Sequence, residues 1–462
     1  MKARLFFLLI FLLIFILLQV GNTIPTQHRV LFIISFAVLF CFTLFYLLKE
    51  KDYSPFIASF VVFSFLFFIM APILQLDQYF ETSNKRLFNG LIYSDALILK
   101  ANILIIIFNS TFFLVYYVFH NYYKHIKVIT YNRYTPLYIF IFFVLNLVVF
   151  VLKYDYLMSK ISLTSYSNIT SKVAGILNAK FFFFLPFAPI VLGLHYIKNN
   201  WNRKTKNFYI IFAIVIILIA IFFLYKNPLA AKRNALGPIY ITLIFLFIPR
   251  WVNTNFKILS LLFFSLIVLF PLSSLVTHSD KNLSDMSFEE IVSSENIQES
   301  LSSQFTNLNF DAFLMLGVSI DYTEKEGHAM GRQLLPAGLF FIPRVIWDNK
   351  PITTGQLMGE HIQKHHDKRK WFHNLAAPFV AESFVDFGVV GVILYAILLA
   401  FLCLKFVNWL KSNDPLRQLA AFYFSIHLIF LLRGDLTNGF VYYFLPFVAF
   451  FVFPKLMMKI LK

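Results

Sequence analysis

A small set of cations, acids and rings in an otherwise apolar chain could do chemistry. The segment LFFIPRVIWDNKP (339–351) ends an apolar run with Arg344, Trp347 and Lys350 between prolines. Arg332 precedes it, and Arg233 and Arg433 stand at the edges of other apolar runs. A guanidinium stays charged at any working pH and grips phosphate oxygens through paired hydrogen bonds, while an ammonium acts as a point charge. Glu382 opens an apolar run, where an acid is costly without a partner or a task. Carboxylates and imidazoles can serve as general bases, which makes Glu382 the first candidate and His373 the second. Asp311 and Asp435 come next, and Asp386 lies at i+4 from Glu382, on the same face of a helix that starts early enough. The set points to electrostatic and acid–base chemistry on a phosphate-bearing ligand.

Each residue also has a plainer reading. Arg344 and Lys350 suit anchors of an interfacial helix, and Arg233 and Arg433 suit anchors at span ends. His373 can simply satisfy nearby backbone. The run HIQKHHDKRK (361–370) reads as a solvated basic loop, and its histidines match no standard metal-site spacing, so no metal is expected. No phosphate-binding glycine loop, dinucleotide fingerprint, H-E-x-x-H or C-x-x-C occurs, which argues against a nucleotide cofactor or a structural zinc.

The elements that must position these residues are transmembrane helices. Apolar residues make up 59% of the 462, Phe alone occurs 61 times, and charged residues are 14%. Apolar runs long enough to span a bilayer recur, without the short alternating segments of a barrel. About twelve spans are expected by the ~20-residue criterion: 5–21, 30–48, 54–75, 95–118, 136–152, 180–197, 208–225, 235–250, 258–276, 387–408, 418–433 and 438–454. The start, MKARLFFLLIFLLIFILLQVGN, has a basic tip and an apolar core but no A-x-A site, and reads as a retained first helix. Cys41 and Cys403 lie inside apolar runs and read as packing residues.

The net charge of +17 is spread over loops rather than gathered in a stripe, which argues against nucleic-acid binding. Lys2 and Arg4, KEK at 49–51, KHIK at 124–127, KNNWNRKTK at 198–206, Arg250 with Lys257, Lys411 with Arg417, and the tail KLMMKILK all fall on one side. By the positive-inside rule that side is cytoplasmic, as are both termini. The chain therefore reads as one integral membrane domain over 1–462, with a large outer loop over 277–386 that begins Ser-rich and contains an interfacial segment.

With these residues in view, the chain resembles the Wzy-type oligosaccharide repeat-unit polymerases of bacterial O-antigen and capsule assembly. That family shows a pattern near "G…L…iPR.iWP.KP", then "P…aE.y.nFG..G". Here it reads Gly331-Arg332, Ile342-Pro343-Arg344, Trp347, Lys350-Pro351, then Pro378, Glu382, Phe387-Gly388 and Gly391. NFDAF (309–313), KRNAL (232–236) and RGD (433–435) are also similar. Asp348 and Asp386 depart from the pattern, where proline and asparagine are usual. The resemblance implies an all-α polytopic membrane protein with a GT-C-like glycosyltransferase architecture, in the bacterial cytoplasmic (inner) membrane, without a cofactor. It implies polymerisation of undecaprenyl-diphosphate-linked repeat units at the outer face, with Arg344, Arg332, Lys350, Arg233, Arg433 and Trp347 toward the diphosphate and glycan. The lipid bilayer, a chain-length regulator and a flippase are the implied partners. An O-antigen ligase, or a flippase or transporter of lipid-linked oligosaccharides, is the alternative.

Overall fold

The computed structural model describes residues 1–81, 90–124, 136–161, 172–203, 205–227, 233–269, 305, 310–367 and 375–461. Among these residues all regular structure is helical. The membrane-type helices are α1 (Lys2–Gln19), α2 (Thr26–Leu48), α3 (Pro55–Glu81), α4 (Asp95–Lys124), α5 (Pro136–Leu152), then, after the short α6 (Tyr154–Ile161), α7 (Ala174–Asn199), α8 (Lys206–Tyr225), α9 (Arg233–Phe247) and α10 (Asn255–Ile267). Then come α11 (Ala312–Glu326), the single turn α12 (Leu334–Gly338) and α13 (Thr354–His365), followed by α14 (Phe379–Leu410), α15 (Pro415–Arg433) and α16 (Leu436–Ile460). Among the described residues nine helices are long and apolar enough to cross a membrane, and three shorter ones (Pro136–Leu152, Leu236–Phe247, Asn255–Ile267) fall where the remaining expected spans lie. The chain is a polytopic helical membrane protein.

The chain divides into two compact units: Met1–Asn121, Arg250–Leu404 and Leu428–Gly439 form one, and Tyr122–Pro249, Lys405–His427 and Phe440–Lys462 form the other. In lipid, helix association draws on close packing and buried polar contacts rather than on escape from water. The first unit supplies the packing with phenylalanine. Phe60 of α3 stacks on Phe112 of α4 at 3.9 Å, Phe15 on Phe36 at 3.9 Å, and Phe11 packs on Phe65 at 4.5 Å. Polar contacts fasten the same helices: the Tyr46 hydroxyl donates to the Ser54 carbonyl at 2.8 Å and the Tyr116 hydroxyl to Ser54 Oγ at 2.7 Å. Arg4 donates to the Leu47 carbonyl at 2.8 Å, so a basic residue of the amino-terminal tip also caps α2. In the second unit Phe183 stacks on Tyr225 at 4.3 Å, and the Lys226 ammonium lies over the Phe184 ring at 3.8 Å while donating to the Ala179 carbonyl at 2.7 Å.

Several helices run about six residues beyond the expected spans, as at Glu81, Lys124 and Ala174, and one shifted boundary bears on the site. The helix expected from 387 begins at Phe379, so Glu382 and Asp386 lie on helix rather than in the loop that precedes it. The two acids interrupt the apolar pattern and hide the true start. α14 breaks at Phe387 (φ −138°, ψ 19°) and Gly388 (φ 61°, ψ −146°), the latter a conformation open to glycine. The two halves close on each other at Gly391, where a Cβ would stand 2.0 Å from the Ser383 carbonyl oxygen and 3.0 Å from Phe387 Cβ. Gly391→Ala therefore forces backbone apart, at a cost of about 3 kcal/mol or more. Detergent-extracted Gly391→Ala should lose its monodisperse peak on size exclusion, while Gly237→Ala, with open space at its Cβ, should keep it.

Candidate active site

The amino terminus of α16 organises a buried polar cluster. Asp435 precedes the helix and takes up its free amides: the Asn438 N–H donates to Oδ1 at 2.7 Å and the Asn438 side-chain amide to Oδ2 at 2.9 Å. The Leu436 N–H donates to Glu382 Oε2 at 2.5 Å, and the Thr354 hydroxyl donates to Glu382 Oε1 at 2.6 Å. Both acids are buried, at 1% and 2% exposure, which their ordinary hydration would forbid. The partial positive charge of a helix amino terminus, together with these donors, offsets part of that cost. Burial still pushes the Asp435 carboxyl above its ordinary range, against the pull of hydrogen bonds from Asn438 and Thr353.

Two more segments join the cluster. Asp311, 1% exposed, is paired with Arg433 at 3.3 Å and accepts the Ala376 N–H. Burial raises the Asp311 carboxyl, and the Arg433 guanidinium pulls the other way without cancelling it. Gly355 lets α13 approach the chain after the 368–374 segment: a Cβ there would lie 1.9 Å from the Leu375 carbonyl oxygen and 3.2 Å from Asp435 Oδ2. Residues 311, 353–355, 375–376, 382 and 433–438 thus meet around one helix end.

Asp386 serves a neighbouring junction. It accepts the Gln333 N–H at 3.2 Å and the Tyr395 hydroxyl at 2.9 Å, while the Ala329 and Met330 N–H groups donate to the Val385 and Asp386 carbonyls at 2.8 and 2.9 Å. Asp386 therefore holds the 329–333 turn against α14 and does not share partners with Glu382. Arg332, in that turn, is exposed.

Arg344 and Lys350 lie in a different setting. Arg344 donates to the Lys350 carbonyl at 2.7 Å and to the Pro351 carbonyl at 3.4 Å. The Lys350 ammonium donates to the Leu339, Phe340 and Ile342 carbonyls at 3.2, 3.0 and 2.8 Å, and lies 6.0 Å from the Trp347 ring. Burial first, and the Arg344 charge second, lower the Lys350 ammonium below its ordinary value. The two cations staple the 339–351 loop to itself, and around them Val345 and Ile346 stand 91% and 77% exposed. An apolar fringe that exposed suits lipid rather than water.

The remaining expected residues separate. Arg233 begins α9, but its side chain lies outside the described residues, as do Lys368, Arg369, Lys370 and His373 and the Ser-rich stretch 277–304. The expected basic loop is only partly a loop: residues 361–365 finish α13, and His361 is buried at 4% exposure because its ring bonds to Asp321 of α11. Burial alone would raise the Asp321 carboxyl, but hydrogen bonds from His361, His366 and Lys325 outweigh it and hold the group well below the usual carboxylate range.

Sequence reasoning passed over Thr353, Thr354, Gln333 and Tyr395. One signal was available for the first pair: Thr353-x-x-Gln356 is a capping pattern, and Thr353 Oγ1 does accept the Gln356 N–H at 3.3 Å. Tyr395 carried none, since a tyrosine in an apolar run reads as packing.

The family model described as O-antigen polysaccharide polymerase Wzy matches residues 373–461. That stretch contains Glu382, Asp386, Arg433 and Asp435, whereas the 331–351 segment precedes it. The match supports an O-antigen polymerase role in general, with the polymerising, glycosyltransferase-like activity and the multi-pass membrane setting that such a role entails. No curated protein and no solved structure matches the chain.

Proposed function

We propose that the chain polymerises undecaprenyl-diphosphate-linked oligosaccharide repeat units into O-antigen or capsule at the outer face of the bacterial cytoplasmic membrane, with both termini inside and 277–386 outside. One observation carries this reading. The segment matched by the family model supplies Glu382, Arg433 and Asp435 to a single buried polar cluster, completed by Asp311 and Thr354. In the transfer, the bond between the donor's anomeric carbon and its diphosphate breaks, and a bond forms from that carbon to a hydroxyl of the incoming unit. The lipid diphosphate leaves as an anion, and the hydroxyl proton passes to a base. Cations that tighten as charge develops on the leaving group lower the barrier. Arg332 and Arg344, which are exposed, and Lys350, Arg233 and Arg433 are the cations assigned to this task, with Trp347 seating the loop at the lipid surface.

Glu382 has both oxygens engaged and is buried, which supports a positioning role better than a proton-accepting one: it ties α13 to the amino terminus of α16 and so fixes Arg433. His373 then takes the role of base that the sequence offered second.

The reading is tested with protein purified in detergent and given defined lipid-linked repeat units. A ladder of lipid-linked products is expected. Transfer only to lipid A core would instead make the chain a ligase, and movement of units across vesicles without new glycosidic bonds would make it a flippase. In the same assay Arg344→Ala should abolish the ladder at unchanged protein level. Arg344→Lys should recover it poorly, at least roughly tenfold below the native chain, because lysine lacks the planar fork. Equal activity of the lysine variant would reduce Arg344 to a simple charge.

A further inference from the structure

We infer that Asp321, His361 and His366 form a binding site for a divalent transition-metal ion of the zinc class, which cross-links α11 to α13. The nitrogen–oxygen geometry is already converged: His361 Nε2 lies 2.7 Å and His366 Nε2 2.6 Å from the same oxygen, Asp321 Oδ2. The three ligand atoms lie within 4.8 Å of one another. In a tetrahedral site with metal–ligand bonds near 2.0 Å the ligand atoms stand about 3.3 Å apart, so each nitrogen–oxygen gap need open by only about 0.6–0.7 Å.

The Asp321 carboxylate already draws a cation, one that a metal ion would have to displace. The Lys325 ammonium, one turn along α11 from Asp321, lies 3.0 Å from Asp321 Oδ2 and 3.4 Å from His366 Nε2. Three nitrogens thus crowd one carboxylate oxygen, and a metal ion in their midst would replace two imidazole hydrogen bonds and the ammonium together. Lys325 is flexible and partly exposed, with 38% of its side chain accessible, so it can swing out. The His361 ring is buried and held edge-on against Tyr322 at 5.4 Å, which fixes its orientation before any ion arrives. Two imidazoles and a carboxylate select zinc, cobalt or nickel over magnesium or calcium, which prefer all-oxygen shells.

A second set, Glu326, His361 and His365, shares His361. It is the weaker choice: Glu326 and His365 are exposed, and their closest approach is 3.5 Å. The ion's work in the Asp321 set is mechanical. It pins the carboxyl end of α13, the helix whose other end carries the Thr354 that bonds to Glu382.

The test is metal titration of the full chain, purified without a polyhistidine tag, using Co2+ for its tetrahedral absorption bands and Zn2+ as competitor. One equivalent of Co2+ is expected, displaced by Zn2+ but not by Mg2+, with a rise in the thermal midpoint. His366→Gln, at a half-buried helix end where folding is least at risk, should weaken binding at least a hundredfold, and His361→Gln likewise. His365→Gln should leave it unchanged, as should His120→Gln in the separate Glu50, Asp52, His120 group. Lys325→Gln removes the competing ammonium and should tighten binding several-fold. Absence of the cobalt bands, or equal binding by His366→Gln and the native chain, overturns the site. Loss in His365→Gln with retention in His366→Gln transfers it to the Glu326 set and overturns it equally.

Discussion

Replacing Glu382 by alanine is expected to abolish polymer formation and to strip the protein of much of its stability. The side chain is fully buried and takes the Thr354 hydroxyl on one oxygen and the Leu436 N–H on the other. Alanine leaves a cavity, strips the Leu436 N–H of its acceptor and leaves the Thr354 hydroxyl only its longer, 3.5 Å contact with Gln333 Oε1, at a combined cost of about 3 kcal/mol or more. Thermal unfolding in detergent should register the loss. Glutamine is the informative partner. Its carbonyl can still accept from Leu436, its amide can donate to a rotated Thr354 hydroxyl, and it can place no charge beside the buried Asp435 carboxyl. Glu382→Gln should therefore match or exceed the native thermal midpoint and keep activity within about tenfold, since neutral and charged hydrogen bonds differ by only a factor of a few in strength. A glutamine variant that folds and binds donor lipid but transfers at a thousandth of the native rate would make Glu382 the proton acceptor, and the assignment of His373 would have to be withdrawn.

The second large effect is expected at Arg433. Its guanidinium is paired with Asp311, a carboxylate 1% exposed, across 122 residues of sequence. Removing the cation alone leaves a buried acid without its counter-charge, which typically costs 3–5 kcal/mol, so Arg433→Ala should give about that loss. Removing both charges should cost far less, because no uncompensated charge remains: Asp311→Asn with Arg433→Gln should return the thermal midpoint close to the native value. Polymer should not return with it if Arg433 also serves the leaving diphosphate. Arg433→Lys keeps the charge and should fold, yet lose roughly tenfold or more in product, because an ammonium lacks the two-pronged geometry. Native-rate ladders from the folded double variant would confine Arg433 to a scaffold role.

The helical, membrane-spanning character of the chain was legible in the sequence, and the reason is physical: a bilayer demands apolar stretches of fixed length, and composition alone betrays them. Each of the twelve expected spans has a helix at its place, nine of them long and three short among the described residues. Glu382 stood out in the sequence because an acid opening an apolar run has to be accounted for, while Asp311 and Asp435 were only the next acids on the same face. What the linear order could not give was partnership. That Glu382 bonds to Thr354 and to the amide of Leu436, and Asp311 to Arg433, depends on which helix ends meet, and nothing local encodes a contact between residues 28, 54 or 122 positions apart. The early start of α14 was hidden for a related reason: its acids break the apolar pattern, and only burial against Thr354, Gln333 and Tyr395 makes helix tolerable there. The basic run at 361–370 misled in the same way, since its residue types read as solvated until His361 turned inward to an aspartate on another helix. Composition and hydrophobic length fixed the elements because they are properties of one segment in its solvent. The site was decided by tertiary structure because a buried charge is stable only beside a particular partner, and that partner is chosen by packing.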